Sequence, residues 1–596
     1  MCGIAGLIHF DGKRVAEDVL VGMTRTLEHR GPDEEGYFLN APAGELRGGG
    51  VPLRGLPAGG NGSVGFGHRR LSIIDLSSGQ QPLSNEDGTV WITFNGEIYN
   101  YRDLQEELEA KGHRFRTRSD TETIVHAYEE WGEAAVARLR GMFAFAIWDE
   151  KRRRVLLARD RLGKKPLYYL HDGRRLVFGS EMKAILAAPG VPREIDPTAL
   201  YDYLSLLYVP QPRSIFRDIR KLPSAHYAVV DARGIRLEAY WDLPFAPVLD
   251  EPEESHIEAI LDGLSEATRI RLMSEVPLGA FLSGGVDSSA VVALMAQHSS
   301  GRVRTSSIAF SEAAYDESRY AARVAELFGT EPFADSSAVP TYYVSKTARE
   351  NVVVALSGDG GDENFCGYRR YWFDLRENRV RRLLPGGLGS ALFRGMGRLY
   401  PKADWLPSIF RGKAFISNVA RDPVEAYCHS ISHMSEEDKR RLIVPEVASE
   451  LGDYSTVDLF RHYYGKAQAE DHMSRIQYLD IKTYLVDDIL TKVDRASMAV
   501  SLEVRCPILD HVFMERAARI PWSLKIKGRD KKHIFKKALR RHLPDDILYR
   551  PKMGFGVPIL EWLRGEVKEY ARDLVLDGEG TRRFFRRDTM ETLLRQ

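Results

Sequence analysis

Apolar and polar positions follow different rhythms in the two halves of the chain. In the first half, short apolar runs alternate with Gly and Pro, and residues 136–148 (VARLRGMFAFAIW) form one such run. This pattern predicts an α+β domain in which two antiparallel sheets pack together and are covered by helices. In the second half, apolar strands alternate with stretches of helical periodicity, which predicts an α/β domain around a parallel sheet.

Three stretches mark strands of the second half: the apolar run 278–282, then residues 305–311, whose apolar part is 308–310, and the apolar run 352–356. The first and the third run directly into polar loops that are rich in glycine. Ligands of parallel α/β sheets bind beyond the carboxyl ends of the strands. We therefore expect these two loops to form a ligand site.

Proline interrupts regular structure between the halves. Residues 243–254 (LPFAPVLDEPEE) are the most linker-like stretch, and helical periodicity returns at Ser255. The pattern predicts an amino-terminal domain at residues 1–220, a linker at 221–254 and a second domain at 255–596.

Composition excludes several classes of partner. Lys plus Arg and Asp plus Glu are equal at 84 each, so nothing suggests that the chain binds nucleic acid. No apolar run approaches the ~20 residues that span a bilayer, and acidic residues interrupt any signal-peptide core in the first thirty residues. The four cysteines form no CxxC pair. A reduced, cytoplasmic protein without a membrane partner is the expectation.

The loop after the first strand has the features of a phosphate-binding turn. Residues 283–289 read SGGVDSS, and a helical pattern follows. Two adjacent glycines let the backbone approach an oxyanion, and the first amides of a helix have no intrahelical partner. No Lys follows the glycines as the Walker motif requires. A plain glycine turn is the alternative, which the full motif disfavours.

The loop after the third strand carries three carboxylates within five residues. Asp359, Asp362 and Glu363 lie in the segment SGDGGDE, residues 357–363. Such carboxylates repel one another unless a cation is present, and Mg²⁺ is the cation that accompanies triphosphates. The alternative, an acidic surface turn, does not explain why the loop follows a buried strand.

The amino terminus offers different chemistry. Cys2 follows Met1, and a small second residue permits removal of the initiator Met. Cys2 would then carry a thiol nucleophile and a free α-amine as a nearby base. A cysteine that follows the start by chance is the alternative for this position taken alone.

Four motifs after Cys2 occur in order: HRGPD at residues 29–33, GHRRLSIID at 67–75, FNGEIYN at 94–100 and SDTE at 119–122. Over about the first 220 residues they resemble the glutaminase domain of the class II, amino-terminal-nucleophile glutamine amidotransferases. The resemblance implies that Cys2 attacks the side-chain amide of glutamine.

The same resemblance assigns the rest of the glutamine site. Asn95 and Gly96 would form the oxyanion hole, in which one donor is commonly worth ~3 kcal/mol of barrier. Arg70 would hold the α-carboxylate of glutamine, while Glu97 and Asp120 would hold its α-amine. A hairpin turn at Asn95 and a surface ion pair at Arg70 are the structural alternatives.

The two loops of the second half resemble the synthetase domain of the asparagine synthetases, which belong to the ATP-pyrophosphatase enzymes. The residues that would bind ATP and pyrophosphate are Leu282, Ser283, Gly284, Gly285, Asp287, Ser288, Ser289, Ile308, Ser357 and Gly358. Asp359 would assist adenylate formation, and Lys532 would stabilise phosphate charge in the transition state. The metal ligands would be Asp287, Asp362 and Glu363.

A further segment, residues 490–510 (LTKVDRASMAVSLEVRCPILD), is close to the signature of that family. The resemblance places five of its side chains around the synthetase site: Lys492, Asp494, Arg495, Glu503 and Arg505. A helix with structural ion pairs is the alternative for any one of them.

The whole chain resembles glutamine-hydrolysing asparagine synthetases. The resemblance implies that the chain uses glutamine, ATP and Mg²⁺ to amidate a carboxylate, in the parent family that of aspartate, and it is compatible with a homodimer. The first alternative is the same chemistry on another acceptor in cell-envelope, exopolysaccharide or natural-product biosynthesis. The second is a binding or scaffold protein with an inactive synthetase domain.

Two stretches depart from the family pattern. Residues 40–62 are an insertion rich in Gly and Pro, which predicts a surface loop or a mobile flap. Thr330 leads to Pro332 where the family has several tens more residues, and the chain stops early, at Gln596. A natural deletion is one explanation. The intact flanking motifs favour the other, a sequence from which mobile segments are left out.

Overall fold

A computed structural model gives the fold, and it describes residues 1–42, 53–56, 61–308, 317–328, 330–335, 340–383, 413–551 and 567–594, with Phe393, Met396 and Gly565. Much of the insertion at 40–62 lies outside these residues. The side chains of 308 and 331–335 are also outside the description, although their backbone belongs to strands.

The strands of the described chain are β1 (Gly3–His9), β2 (Glu34–Pro42), β3 (Leu53–Leu56), β4 (Val64–Arg70), β5 (Leu83–Ser84), β6 (Val90–Ile98), β7 (Gly141–Asp149), β8 (Arg154–Arg159), β9 (Tyr168–His171), β10 (Arg175–Gly179), β11 (Arg220–Lys221), β12 (His226–Asp231), β13 (Gly234–Ala239), β14 (Leu278–Phe281), β15 (Arg304–Ile308), β16 (Glu331–Asp335), β17 (Val354–Leu356), β18 (Glu503–Arg505), β19 (Ile526–Lys527) and β20 (Asp530–Lys531).

The α-helices of the first 340 residues span Glu17–Arg25, Tyr101–Ala110, Asp120–Trp131, Ala135–Arg138, Met182–Leu186, Pro197–Leu206, Glu253–Ile270, Val286–His298 and Ser318–Phe328. Those that follow span Pro340–Arg349, Gly361–Asn364, Arg369–Leu383, Lys413–Val419, Pro423–Ile431, Glu436–Leu442, Pro445–Leu451, Thr456–Lys466, His472–Asp480, Leu490–Met498, His511–Ala518, Trp522–Lys525, His533–Leu539, Asp545–Leu548, Lys568–Asp577, Glu579–Phe584 and Arg587–Leu594. A π-helix spans Ile481–Ile489, and short 3₁₀ turns span Glu28–Arg30, Gly132–Ala134 and Pro507–Leu509.

Two sheets stack in the amino-terminal half. The seven-stranded sheet has the order β11-β9-β10-β1-β4-β2-β3, and the six-stranded sheet has the order β13-β12-β8-β7-β6-β5. Apolar side chains of both sheets meet between them, among them Phe38, Trp91 and Trp148. The outer faces are covered by helices, which makes four layers. The predicted α+β domain of two packed sheets is confirmed.

Strand β7 shows how the alternation in the sequence produces these layers. Its Ala144, Ala146 and Trp148 belong to the core between the sheets, whereas Phe143 and Phe145 belong to the core under the helices. Successive side chains of a strand point to opposite faces. The alternation in FAFAIW therefore sends one set of apolar side chains between the sheets and the other set under the helices.

Strand β3 comes from the insertion and differs from the expected surface loop. It pairs with β2 in parallel, with Tyr37 opposite Leu53, at the edge of an otherwise antiparallel sheet. A parallel neighbour needs a crossover connection rather than a tight hairpin. The insertion therefore lengthens the sheet by one strand.

The sheets of this half include strands after residue 220, where the sequence placed the carboxyl boundary. Strands β12 and β13 pair with each other, and β12 pairs with β8 of the six-stranded sheet. Residues 221–239, assigned above to the linker, therefore belong to the sheets. We propose that the amino-terminal domain extends to Ala239.

The second half is built on a parallel sheet, as predicted. Its five strands have the order β16-β15-β14-β17-β18. Apolar clusters cover both faces, one under the helices Glu253–Ile270 and Val286–His298, the other under the helices Pro340–Arg349 and Leu490–Met498. The two glycine loops thus emerge at the carboxyl ends of the adjacent strands β14 and β17.

The shortened connection lies at one edge of this sheet. The helix Ser318–Phe328 is followed almost at once by β16, which pairs with β15 in parallel. Thr305 and Thr330 hydroxyls lie 3.0 Å apart at the start of this pairing. The residues after Thr330 therefore supply the edge strand. In the described part of the chain, no helix combines the length and apolar character needed to cross a membrane.

Buried ion pairs join the two halves. Arg140 donates to both carboxylate oxygens of Asp510, at 3.1 and 3.0 Å, and Arg271 lies 3.0 Å from the same carboxylate. Burial alone would raise the pKa of Asp510, but the two arginines outweigh it and hold the pKa well below its usual range. The domains are thus connected through a charge that water does not reach.

We expect Asp510→Asn to lower the stability of the chain by about 3–5 kcal/mol, because it leaves two arginines without their buried partner. Asparagine can still cap the helix that Asp510 precedes. The loss of stability therefore measures the effect of removing the negative charge. The depressed pKa adds stability above the unfolded pKa of ~4, and this stability is lost as the pH falls. Denaturant unfolding from pH 7 to pH 3 measures both effects.

Glu107→Gln is the matched control, since it removes an exposed pair with Arg138 that should be worth at most about 1 kcal/mol. Equal stabilities of the Asp510 and Glu107 variants would contradict the conclusion that the buried charge of Asp510 stabilises the chain.

Candidate active sites

Cys2 lies buried at the start of β1, beside the residues that the sequence assigned to the oxyanion hole. Its backbone N–H donates to Asn95 Oδ1 at 2.9 Å, and its Sγ lies 4.0 Å from the carbonyl of Leu71. Burial raises the pKa of the Cys2 thiol, and the Met1 ammonium acts in the opposite direction. The predicted nucleophile and Asn95 are therefore neighbours.

The other end of the Asn95 amide is the donor predicted to face the oxyanion. Its Nδ2 is buried and has no hydrogen-bond partner within the described part of the chain. A buried donor left unpaired costs stability, so such atoms often mark a functional site. Gly96 follows on β6, where an added Cβ would lie 2.1 Å from the Met142 carbonyl. Only glycine fits there.

Three carboxylates gather where the amino group of glutamine is predicted to bind. Burial, and then the charge of Glu503, raise the pKa of Glu97 well above its ordinary value, and burial raises the pKa of Asp120 to about 7. The Met1 ammonium lies 3.3 Å from Glu503. With Met1 present, its ammonium supplies positive charge to this acidic pocket.

Arg70 is buried near Cys2 and already holds neighbouring groups. Its Nη1 donates to Glu34 at 2.8 Å, and its Nη2 donates to the carbonyl of Asp75 at 2.6 Å. The guanidinium thus fixes the segment 71–75 that runs past the Cys2 thiol. Its single bond to Glu34 shows that the guanidinium can donate to a carboxylate at this position.

The first glycine loop of the synthetase half is a compact turn between β14 and the helix Val286–His298. Gly284 has a positive φ of 68°, and an added Cβ would lie 2.5 Å from the backbone of Tyr320. The hydroxyls of Ser283 and Ser288 lie 3.0 Å apart, and the Gly285 N–H donates to Ser283 Oγ at 3.2 Å. The two serine hydroxyls and the amides at the start of the helix lie on the same side of the turn, as in a phosphate-binding loop.

The second glycine loop packs directly against the first. A Cβ added to Gly358 would lie 2.6 Å from the Ser288 amide nitrogen. A Cβ added to Gly361 would lie 2.3 Å from Asp287 Oδ1. Ser357, Gly358 and the SGGVDSS turn therefore form one continuous wall. Leu282 is buried at its base, while the side chain of Ile308 lies outside the described residues.

Lys532 joins the acidic residues of both loops. Its Nζ contacts Asp287 Oδ2 and lies 2.9 Å from Asp362 Oδ1. Burial alone would lower the pKa of Lys532, but Asp287 and Asp362 outweigh it and raise the pKa. Lys532 also has a positive φ of 55°, a strained backbone for a non-glycine residue, as often occurs at functional sites.

Asp287 and Asp362 converge on one point, and paired carboxylates are the donors that Mg²⁺ prefers. Glu363, the third predicted ligand, instead accepts from the Tyr368 hydroxyl at 2.6 Å. Burial, then the charge of Asp362, raise the pKa of Glu363 to about 7. Asp359 is also buried, which raises its pKa, and accepts from the Ser357 hydroxyl at 2.5 Å. The residues present fit a metal held first by Asp287 and Asp362.

Several contributors were not found from the sequence. Arg30 donates to the carbonyl of Cys2 at 3.1 Å and makes two bonds, 2.8 and 2.9 Å, to Asp494. Arg550 donates to the carbonyl of Gly284 at 2.8 Å and to Glu317 at 2.6 Å. Arg30 stands in the HRGPD motif, which was noticed without a role, whereas no local pattern distinguishes Arg550.

The expected lining of the synthetase site from residues 490–510 is only partly seen. Lys492 acts electrostatically on Asp359. Asp494 instead pairs with Arg30. Glu503 contacts the Met1 ammonium and Arg505 contacts Glu97, so both lie on the side of the predicted glutamine pocket. Arg495 pairs with Glu181 of the amino-terminal half at 2.7 Å. Most of these side chains therefore join the domains.

Two families match most of the chain. The family described as glutamine amidotransferase domain matches residues 55–241, and the family described as asparagine synthase matches residues 259–332 and 330–596. The two parts of the second match meet at 330–332, the position of the shortened connection.

Similar curated proteins extend along nearly the whole chain. Asparagine synthetase (glutamine-hydrolyzing) 1 of Bacillus subtilis (strain 168) is 34% identical over 97% of this chain and 90% of that protein. Putative asparagine synthetase (glutamine-hydrolyzing) 2 of Methanocaldococcus jannaschii is 36% identical over 84% of this chain and 98% of that protein. Amidase chry2 of Gibberella zeae is 28% identical over 96% of this chain and 92% of that protein.

The two sites and these matches define a glutamine-dependent amidotransferase, an enzyme of the carbon–nitrogen ligase class. The chain belongs to the glutamine-hydrolysing asparagine synthetase family. Membership implies that it uses ATP, glutamine and a carboxylate substrate. The fold class and the family inferred from the sequence are confirmed.

Replacing Asn95 by Ala removes the unpaired donor beside Cys2. We expect the kcat for glutamine hydrolysis to fall about 10²–10³-fold, because one oxyanion donor is lost. The rate with ammonium as nitrogen source should stay unchanged, since that reaction does not use Cys2. A fall of both rates by the same factor would show that Asn95 acts on the fold instead.

The raised pKa of Asp120 predicts a pH dependence of glutamine binding. Above pH of about 7 the carboxylate is ionised and attracts the α-ammonium of glutamine. Below that pH it is protonated, so the KM for glutamine should rise about tenfold per pH unit as the pH falls. Steady-state glutaminase rates between pH 5.5 and 8.5, taken as a function of glutamine concentration, measure this KM. A flat KM would contradict the role of Asp120.

Proposed function

We propose that the protein makes asparagine from aspartate, ATP and glutamine, with Mg²⁺ at the synthetase site. The observation that carries the proposal is that β18 contacts both sites. Glu503 lies 3.3 Å from the Met1 ammonium beside Cys2, and the Arg505 carbonyl accepts from the Ser357 amide at 2.8 Å. Two sites that share one strand support one coupled reaction. The names of the relatives support aspartate as the acceptor.

The glutaminase step uses the amino-terminal residue after removal of Met1. The Cys2 thiol attacks the amide carbon of glutamine and passes its proton to the free α-amine. Asn95 Nδ2 and the Gly96 amide donate to the oxygen that becomes negative. The nitrogen leaves as ammonia, and water then releases glutamate from the thioester.

The synthetase step activates the acceptor. A carboxylate oxygen of the acceptor attacks the α-phosphorus of ATP, and pyrophosphate leaves. The Ser283–Ser289 turn would bind the phosphates, while Lys532 would neutralise the charge that develops on them. Asp287 and Asp362 would hold Mg²⁺, which supplies further charge neutralisation at the phosphates. Ammonia then attacks the acyl carbon, and AMP leaves.

The ammonia must pass from one site to the other without meeting water. An apolar cluster lies between the amino terminus and β17, formed by Met1, Leu71, Ile73, Ile74, Val354 and Met498. Ammonia that reaches bulk water becomes ammonium, which no longer acts as a nucleophile. The cluster therefore supports a shielded route between the sites.

Amidation of another carboxylate is the second candidate, and the similarity to an amidase of Gibberella zeae favours it. The nitrogen chemistry is the same in both cases. The acceptor alone distinguishes them.

The test follows AMP and pyrophosphate with purified protein, ATP, Mg²⁺ and glutamine, with and without aspartate. We expect AMP formation to depend on aspartate. Cys2→Ala should lose it with glutamine, by more than ~10³-fold, and keep it with ammonium, since only the first site uses the thiol. Glutamine hydrolysis without aspartate-dependent AMP would contradict asparagine synthesis and direct the search to other carboxylates.

A further inference from the structure

A cluster of potential metal ligands lies outside the two sites described above. His126 and Glu129 stand one turn apart on the helix Asp120–Trp131, and His113 follows the helix Tyr101–Ala110. One ligand atom from each of these three residues lies within 4.8 Å of the others. The cluster joins the two helices that cover the six-stranded sheet.

One ring nitrogen of each histidine approaches the same carboxylate oxygen of Glu129. Glu129 Oε2 lies 2.9 Å from His126 Nδ1 and 3.9 Å from His113 Nδ1. Ligand atoms of a tetrahedral zinc site are a little over 3 Å apart, since each lies about 2.0–2.1 Å from the metal. Small rotations of the His113 ring would bring its nitrogen to that distance.

A carboxylate also lies near the far nitrogen of each imidazole. His126 Nε2 faces Glu122 Oε1 at 3.6 Å, and His113 Nε2 faces Glu130 Oε2 at 3.6 Å. Glu129 Oε1 accepts from Asn85 Nδ2 at 2.7 Å. Metal-binding histidines usually donate their second ring N–H to a carboxylate, which fixes the tautomer. Here each ring has a carboxylate 3.6 Å from its far nitrogen, slightly beyond hydrogen-bond length, so a small shift of the carboxylate would complete that bond.

Glu122 is itself held in place. Its carboxylate accepts from the amides of Arg116 and Thr117 at 2.9 and 2.7 Å. The His126 side chain is completely buried, so the position of its ring is set by packing. By contrast, the side chains of His113 and Glu129 are 17% and 25% exposed, which leaves an entrance for an ion from solvent.

We propose that His113, His126 and Glu129 bind Zn²⁺ on the glutaminase domain, with water as the fourth ligand. Two imidazoles and one carboxylate suit zinc better than the hard cations Mg²⁺ or Ca²⁺, which take oxygen ligands. The ion would fasten the turn that carries His113 to the helix that begins with Asp120. It would therefore stiffen the element that holds a predicted glutamine ligand.

The experiment uses the full chain, stripped of metal by a chelator and dialysed. Zinc chloride is titrated in a calorimeter, and bound metal is counted by mass spectrometry after dialysis. Wild type should bind one equivalent more than His113→Gln, in which affinity at this site falls more than ~100-fold. Glu130→Gln, which removes an outer partner, should weaken binding about tenfold.

Glu129→Gln provides a second ligand variant of nearly the same shape, and His9→Gln is the matched control at a half-buried histidine outside the cluster. Circular dichroism establishes that each variant is folded. Zinc should raise the melting temperature of wild type and of His9→Gln, and leave that of the two ligand variants unchanged. Equal zinc content in wild type and in both ligand variants would overturn the proposal. So would the absence of any bound equivalent in wild type, which would make the cluster a chain of carboxylate–imidazole hydrogen bonds.

Discussion

The short strand β18 is the constraint on which both sites depend. Only three residues long, Glu503–Arg505, it is the last strand of the parallel sheet and is completely buried. Its backbone holds the start of the second glycine loop, because the Arg505 carbonyl accepts from Ser357. Its side chains meanwhile place one carboxylate and one guanidinium in the wall of the predicted glutamine pocket. Moving this strand would disturb the nucleotide loop and the nucleophile together.

The charges around β18 balance only when the domains are in contact. Arg505 lies between Glu503 and Glu97, which belong to different domains, and its Nε donates to Glu503 at 2.6 Å. A buried charge without its partner costs several kcal/mol. The docked arrangement is therefore strongly favoured over a separated one, and each domain completes the electrostatics of the other.

The sequence predicted what depends on contiguous residues. The SGGVDSS turn follows from the local chemistry of a strand, two glycines and a helix start. The Asn95–Gly96 pair was assigned through the family resemblance of its motif, and the structure places it beside Cys2. The alternation of β7 likewise predicted packed sheets. The contacts of Arg550 with Gly284 and of Arg30 with Asp494 could not be predicted, because these partners meet only through the tertiary fold.

The same limit explains the differences in detail. The composition of the insertion indicated a loop, yet β3 forms because the exposed edge of β2 offers unpaired backbone groups to any extended segment nearby. Residues 221–239 looked like a linker because of the surrounding prolines, although β12 carries a short run of consecutive buried apolar residues. Glu363 shares a loop with Asp362, but its orientation toward Tyr368 depends on a residue that the motif does not constrain in space.

Because Lys532 lies between Asp287 and Asp362, the predicted nucleotide site contains its own counter-ion. Without nucleotide, the lysine is the cation that keeps two facing carboxylates from repelling each other. If Asp287 and Asp362 held a divalent ion, the ammonium would need a new anionic partner, which a phosphate oxygen would provide. Metal and nucleotide would then neutralise this site together, whereas either one alone would leave an unbalanced charge.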